Sequence, residues 1–109
     1  MKRVLVIEDN ENNMELITFI LETNQYKTIK AITGKQGVEL ALTEKPDFII
    51  LDIQLPDIMG TEVLKRIRAA DLDYHIPIIA VTSYAMAGDR EKLIAAGCDG
   101  YIEKPIDPM

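Results

Sequence analysis

The sequence predicts an α/β fold of the doubly wound kind, a parallel sheet with helices on both faces. Three observations carry this. Short dense runs of Val and Ile, "RVLVIE", "DFIILD" and "IPIIAVT", show little period-two alternation, as strands covered on both faces of a parallel sheet do. Between them lie segments whose apolar residues recur at spacings of three and four. The two kinds of segment alternate along the chain, which implies parallel pairing through right-handed crossovers.

Taken in order, "RVLVIE" is the first strand, and a helix from Asn10 to Thr23 follows it at once. Leu16, Ile17, Ile20 and Leu21 form its apolar stripe, with Glu11, Glu15 and Glu22 for the wet face. "YKTIKAI" is a weaker second strand. In "TGKQGVELALTEKPD" Thr33 caps a second helix, Val38, Ala41 and Leu42 make its stripe, and Pro46 closes it. "DFIILD" is the third strand, and Val63, Leu64 and Ile67 define a third helix after Gly60-Thr61. "IPIIAVT" is the fourth strand. A fourth helix around "DREKLIAAG" has Leu93 and Ile94 as anchors and Gly97 as its C-terminal cap, and "DGYIE" is a weaker fifth strand.

The bulk numbers fit one domain. A chain of 109 residues is the size of a single domain, and 48% hydrophobic with 28% charged residues is ordinary globular composition. A net charge of −6 argues against direct nucleic acid binding, which calls for a basic stripe. Cys98 is the single cysteine, so no internal disulfide forms; it reads as a small packing residue. The start "MKRVLVIEDN" is too short in apolar residues for a signal peptide, and no run is long enough to span a membrane, so the expected location is cytoplasmic.

In open α/β sheets, ligands bind beyond the carboxyl ends of the strands. There the first strand delivers Glu8-Asp9, the third Asp52, the fourth Thr82-Ser83 and the fifth Lys104-Pro105. Each has an ordinary explanation alone: Asp9 or Asn10 as a helix cap, Thr82 as a strand-end hydroxyl bonding backbone, Lys104 as a solvated charge. Together they are harder to dismiss. Two unit charges about 4 Å apart repel by roughly 4 kcal/mol at an effective dielectric of 20, so protons or a cation must relieve three neighbouring carboxylates. Oxygen-only ligation with few carboxylates suits Mg²⁺, which bridges to phosphate oxygens. Asp52 then becomes a candidate nucleophile that forms an acyl phosphate, with Thr82 bonding one phosphoryl oxygen and Lys104 neutralising another. A nucleotide loop is disfavoured, because "IEDNENN" after the first strand is acidic and has no glycine.

These residues resemble the receiver domains of two-component response regulators, the chemotaxis regulators among them. The resemblance runs to Pro105 and rests on Glu8-Asp9, on "LDIQLPDIMG" with Pro56 and Gly60, on Thr82-Ser83, and on "AGCDGYIEKP". It implies a flavodoxin-like strand order of 2-1-3-4-5. It also implies that Asp52 accepts phosphate from a histidine kinase or histidine phosphotransfer protein. Mg²⁺, or Mn²⁺ as a substitute, would be held by Asp9, Asp52 and the backbone carbonyl of Gln54, with Glu8 acting through water. Thr82 and Tyr101 would be the switch that remodels a face for a downstream effector protein or domain, and Gln54 and Tyr84 would tune the lifetime of the phosphoryl group. The Lys104-Pro105 bond is expected to be cis. Leu55 stands where methionine is frequent, and Glu8 where many relatives have Asp. Relatives carry a fifth helix after the KP turn, whereas this chain ends at Met109. The expectation is a receiver domain over 1–109 that lacks its C-terminal helix, with the natural chain continuing or a partner covering the gap.

Two alternatives compete. A phosphate-independent pseudo-receiver, acting as a protein-interaction module, would not need the acid pair, Asp52, Thr82 and Lys104. A Mg²⁺-dependent phosphatase resembling haloacid dehalogenase relatives would carry an acid two residues past its nucleophile, where this chain has Gln54.

Overall fold

The dense apolar runs become five strands: β1 (Arg3–Ile7), β2 (Lys27–Ala31), β3 (Phe48–Asp52), β4 (Ile78–Thr82) and β5 (Gly100–Glu103). The periodic segments between them become α1 (Glu11–Thr23), α2 (Gly34–Glu44), α3 (Gly60–Ala69) and α4 (Ala87–Ala96). The computed structural model describes residues 1–70, 72, 74–82 and 87–103. All four strand pairings are parallel and the sheet order is β2-β1-β3-β4-β5, as the resemblance implied.

Side chains of successive strand residues point to opposite faces, and the core divides accordingly. Leu5, Ile7, Ile49 and Leu51 face a layer made with Ala41 of α2, Val63, Leu64 and Ile67 of α3, and Leu93 of α4. Val4, Val6, Ile50 and Val81 face the other way, onto Met14 and Ile17 of α1. Among the described residues, α1 lies alone on its face. The connection leaving β1 therefore runs over one face and that leaving β3 over the other, which opens a crevice between the C-terminal ends of these neighbouring strands.

Two stripes differ from the sequence reading. On α1 the buried residues are Met14, Ile17 and Thr18, while Leu16, Ile20 and Leu21 are half-buried. Thr18 enters the core because its hydroxyl donates to the Met14 carbonyl at 2.8 Å, so no polar group is stranded. On α4, Leu93 is buried but Ile94 is 52% exposed, so of the two anchors read from the sequence only Leu93 enters the core. The caps are as expected: Thr33 Oγ accepts from the Gln36 N–H, and Gly97 at φ 117° ends α4 in a conformation that suits glycine. Helix α2 also comes unusually close to β1. A Cβ at Gly37 would lie 2.5 Å from Ile7 Cδ1, so this approach needs a residue with no side chain.

Candidate functional site

The site grows out of the ends of β1 and β3. Beyond Ile7, the Glu8 N–H still donates to the Ala31 carbonyl at 3.0 Å, which holds Glu8 against the sheet edge at 1% exposure. Asp9 then turns outward and is exposed. Asn10, not Asp9, caps α1: its side-chain oxygen accepts from the Asn13 N–H at 2.9 Å. That leaves Asp9 outside the cap.

Asp52 ends β3 only 2% exposed, paired in register with Val81 of β4. Thr82, the next residue of β4, is also 2% exposed. One Asp52 oxygen accepts the Gln54 N–H at 3.1 Å, so the exposed Gln54 begins the loop by folding back on the acid. The loop closes at its base, where the Gly60 N–H donates to the Ile53 carbonyl at 2.9 Å. Its outer part is tied to α2 by Asp57, whose two oxygens accept the Gly34 and Lys35 N–H groups at 2.8 and 2.9 Å. The Lys35 N–H most of all, joined by those of Gly34 and the loop itself, holds the Asp57 carboxyl near pKa 2 although desolvation pushes it the other way.

Glu8, Asp9 and Asp52 each offer a carboxylate oxygen, and these lie within 4.8 Å of one another. A donor set of oxygens only, all of one charge sign, two buried and one facing solvent, fits a hard divalent cation such as Mg²⁺. Two hollows flank it. One of about 640 Å³ is lined by Glu8, Asp9, Glu11, Glu15, Lys30 and Pro56, among others. Another, of about 510 Å³, opens beside Thr82 and Gln54 toward Met59 and Leu93. Tyr101 pairs in register with Ala80 and packs half-buried against the larger core layer. The fold thus brings Glu8, Asp9, Asp52, Gln54 and Thr82 to one sheet edge. Lys104, Pro105, Ser83 and Tyr84 lie outside the described residues.

Sequence reasoning passed over two features. Asp57 is one; its signal was an acid directly after Pro56 in the loop behind the nucleophile candidate. The other is a knot of charge at the opposite edge of the sheet. Arg68 of α3 donates to the Gly97 and Ile76 carbonyls at 2.9 and 2.7 Å and to Asp99 Oδ2 at 2.7 Å. Asp99 also accepts the Ile78 N–H at 2.8 Å, and His75 Nε2 lies 2.8 Å from its other oxygen. Desolvation pushes the Asp99 carboxyl up, but the Ile78 N–H, His75 and Arg68 together hold it below the ordinary value. Cys98 next to it is buried, and burial followed by the Asp99 charge pushes its thiol up, as suits a packing residue. Among the described residues no helix is long and apolar enough to cross a membrane.

Comparison with known proteins agrees with this geometry. The model of a family described as response regulator receiver domain matches residues 4–109. The polar-differentiation response regulator DivK of Brucella anthropi is 46% identical over 105 residues, 96% of this chain and 85% of that protein. Among solved structures, a CheY-like receiver domain protein from Methanospirillum hungatei superposes with a TM-score of 0.89 at 32% identity, covering 99% of this chain and 85% of the other. The receiver domain of the sensor histidine kinase PA1611 from Pseudomonas aeruginosa also superposes with a TM-score of 0.89, at 34% identity over 98% of this chain and 88% of the other. That protein holds a magnesium ion coordinated in its active-site cleft.

Proposed function

The chain belongs to the response regulator receiver domain family of two-component signalling, and from that premise we propose that it is a phosphoacceptor switch whose acceptor is Asp52. It is a signalling module rather than a metabolic enzyme. One observation carries the reading: three carboxylates converge within 4.8 Å at the ends of two neighbouring buried strands, a costly arrangement unless a cation and an incoming phosphoryl group use it. The whole of 1–109 acts as one receiver domain in the cytoplasm.

An Asp52 oxygen attacks the phosphorus of a phosphohistidine on a histidine kinase or histidine phosphotransfer protein. The P–N bond breaks, its electron pair returns to the imidazole, that ring takes a proton, and an acyl phosphate remains on Asp52. Asp9, Asp52, the Gln54 carbonyl and, through water, Glu8 would hold Mg²⁺ or its substitute Mn²⁺, which supplies positive charge facing the phosphoryl oxygens. Thr82 sits one residue beyond the register partner of Asp52 and donates its hydroxyl to a phosphoryl oxygen, while Lys104 neutralises another. Water later hydrolyses the acyl phosphate at a rate that Gln54 and Tyr84 tune. Contacts that Thr82 makes only with the phosphorylated form, followed by Tyr101, shift the neighbouring face between two states for a downstream effector protein or domain.

The test uses acetyl phosphate with Mg²⁺ and intact-protein mass. Wild type gains one phosphoryl group and Asp52→Ala gains none. A wild type that stays unlabelled would favour a phosphate-independent interaction module, and equal labelling of the variant would refute Asp52 as the acceptor.

A further inference from the structure

We propose that Asp57 is a positioning residue for the cation site: by clamping the loop after β3 onto the first turn of α2, it sets the separation between the two halves of the acidic cluster. The inference rests on the reading of Glu8, Asp9, Asp52 and Gln54 as that site.

The two halves ride on different strands. Glu8 and Asp9 leave β1, whereas Asp52 and Gln54 leave β3, and the register between these strands ends at Ile7 and Leu51. Past that point β1 and β3 no longer pair; β4 still holds β3 as far as Ile53, whose N–H donates to the Val81 carbonyl at 3.1 Å, and the loop proper begins at Gln54. Its base is held by the bond from Gly60 to Ile53, and its outer part by Asp57 on Gly34 and Lys35, residues 23 and 22 positions away. Helix α2 in turn is pressed on β1 at Ile7, through Gly37, immediately before the acid pair. Asp57 therefore closes a ring from β1 through α2 and the loop to β3. Without it, the Gln54 backbone is tied toward the cluster by its N–H bond to Asp52 and by the chain itself.

The fit at the clamp is close. A Cβ at Gly34 would lie 2.5 Å from Ile58 Cγ1 and 3.2 Å from an Asp57 oxygen, so the loop lies directly on the helix start. Of the first-turn donors of the helix, the buried Gly34 N–H is the one that leans most on this carboxylate. Thr33 already serves the third N–H of α2 through its hydroxyl and the fourth through its carbonyl, and the Lys35 amide lies where water can reach it. The carboxyl near pKa 2 stays charged at any physiological pH, so the clamp does not respond to pH in that range.

The experiment compares Asp57→Ala, Asp57→Asn and Thr33→Ala for Mg²⁺ affinity by calorimetry, for thermal midpoint, and for the Mg²⁺ dependence of acetyl phosphate labelling. Thr33→Ala also removes a cap from α2 but leaves the loop tied, so it controls for helix stability. Asp57→Ala is expected to weaken Mg²⁺ binding by about tenfold, the low end of what removing a group that supports metal ligands costs. Asp57→Asn, which keeps one acceptor, falls between, and Thr33→Ala stays within about twofold of wild type. Labelling by Asp57→Ala slows at low Mg²⁺ and recovers at saturating Mg²⁺. If Asp57→Ala lowers the thermal midpoint as Thr33→Ala does and leaves Mg²⁺ affinity unchanged, Asp57 is only a helix cap and the inference fails. If wild type binds Mg²⁺ and the variants weaken it as expected, but no protein is labelled, the clamp stands and the phosphoacceptor reading falls. A wild type that binds no Mg²⁺ overturns both.

Discussion

The two edges of the sheet treat charge in opposite ways. At the C-terminal edge Glu8, Asp9 and Asp52 gather three carboxylates of one sign. At the N-terminal edge Asp99 meets Arg68, His75 and a backbone amide, so its negative charge faces an opposite one and two further polar partners. Both edges are built by strand ends and short turns of the same sheet, so the fold does not dictate the difference. A matched cluster ties β4 and β5 to α3 and rewards folding, whereas a like-charged cluster stores repulsion that a ligand can release. The second kind is where the proposed phosphoacceptor chemistry would take place.

Substitutions at the two edges should therefore move stability in opposite directions. The largest effect is expected from Asp99→Ala, which strips Arg68 of its carboxylate and leaves the Ile78 amide without its acceptor. Chemical denaturation should show a loss of about 2 to 3 kcal/mol, below what a fully buried pair would cost because the Asp99 side chain is 37% exposed. Asp52→Asn should do the reverse: without Mg²⁺ it removes one charge from the cluster and raises stability by about 1 kcal/mol, some 4 to 8 °C in midpoint. Saturating Mg²⁺ should shrink that advantage. A variant less stable than wild type in the absence of metal would break the comparison.

The smallest effect is on the acid limb of stability. Asp99 and Asp57 both have carboxyls held below their ordinary 3.8 in the folded chain. Each contributes stability that is fully present above that value and is lost as pH falls toward the folded pKa. The thermal midpoint should thus drop between about pH 4 and pH 2 as protons reach these groups. In Asp57→Asn that limb should be shallower, because one of the two titrations is gone.

The alternation of buried runs and periodic segments made the fold legible, because local pattern alone decides which segment is strand and which is helix. Glu8, Asp9, Asp52 and Thr82 were legible for a related reason: a strand end is a position in space once the sheet is parallel. What local spacing does not encode is which distant partner a side chain finds. Asp57 bonds α2 from 22 and 23 residues away, and Arg68 meets Asp99 across 31. The Met14 and Thr18 face of α1 was misread because Thr18 counts as polar until its hydroxyl is seen to bond its own helix. Ile94 was misread as an anchor because it stands next to Leu93, and adjacent helix positions point about 100° apart.

The clamp at Asp57 also makes the loop audible from elsewhere in the chain. The Gly34 and Lys35 amides can exchange with deuterated solvent only when Asp57 lets go, whereas Gln36 answers to Thr33. Two neighbouring amides on a helix thus keep time for the opening of a loop more than twenty residues away, and a third beside them serves as the reference clock.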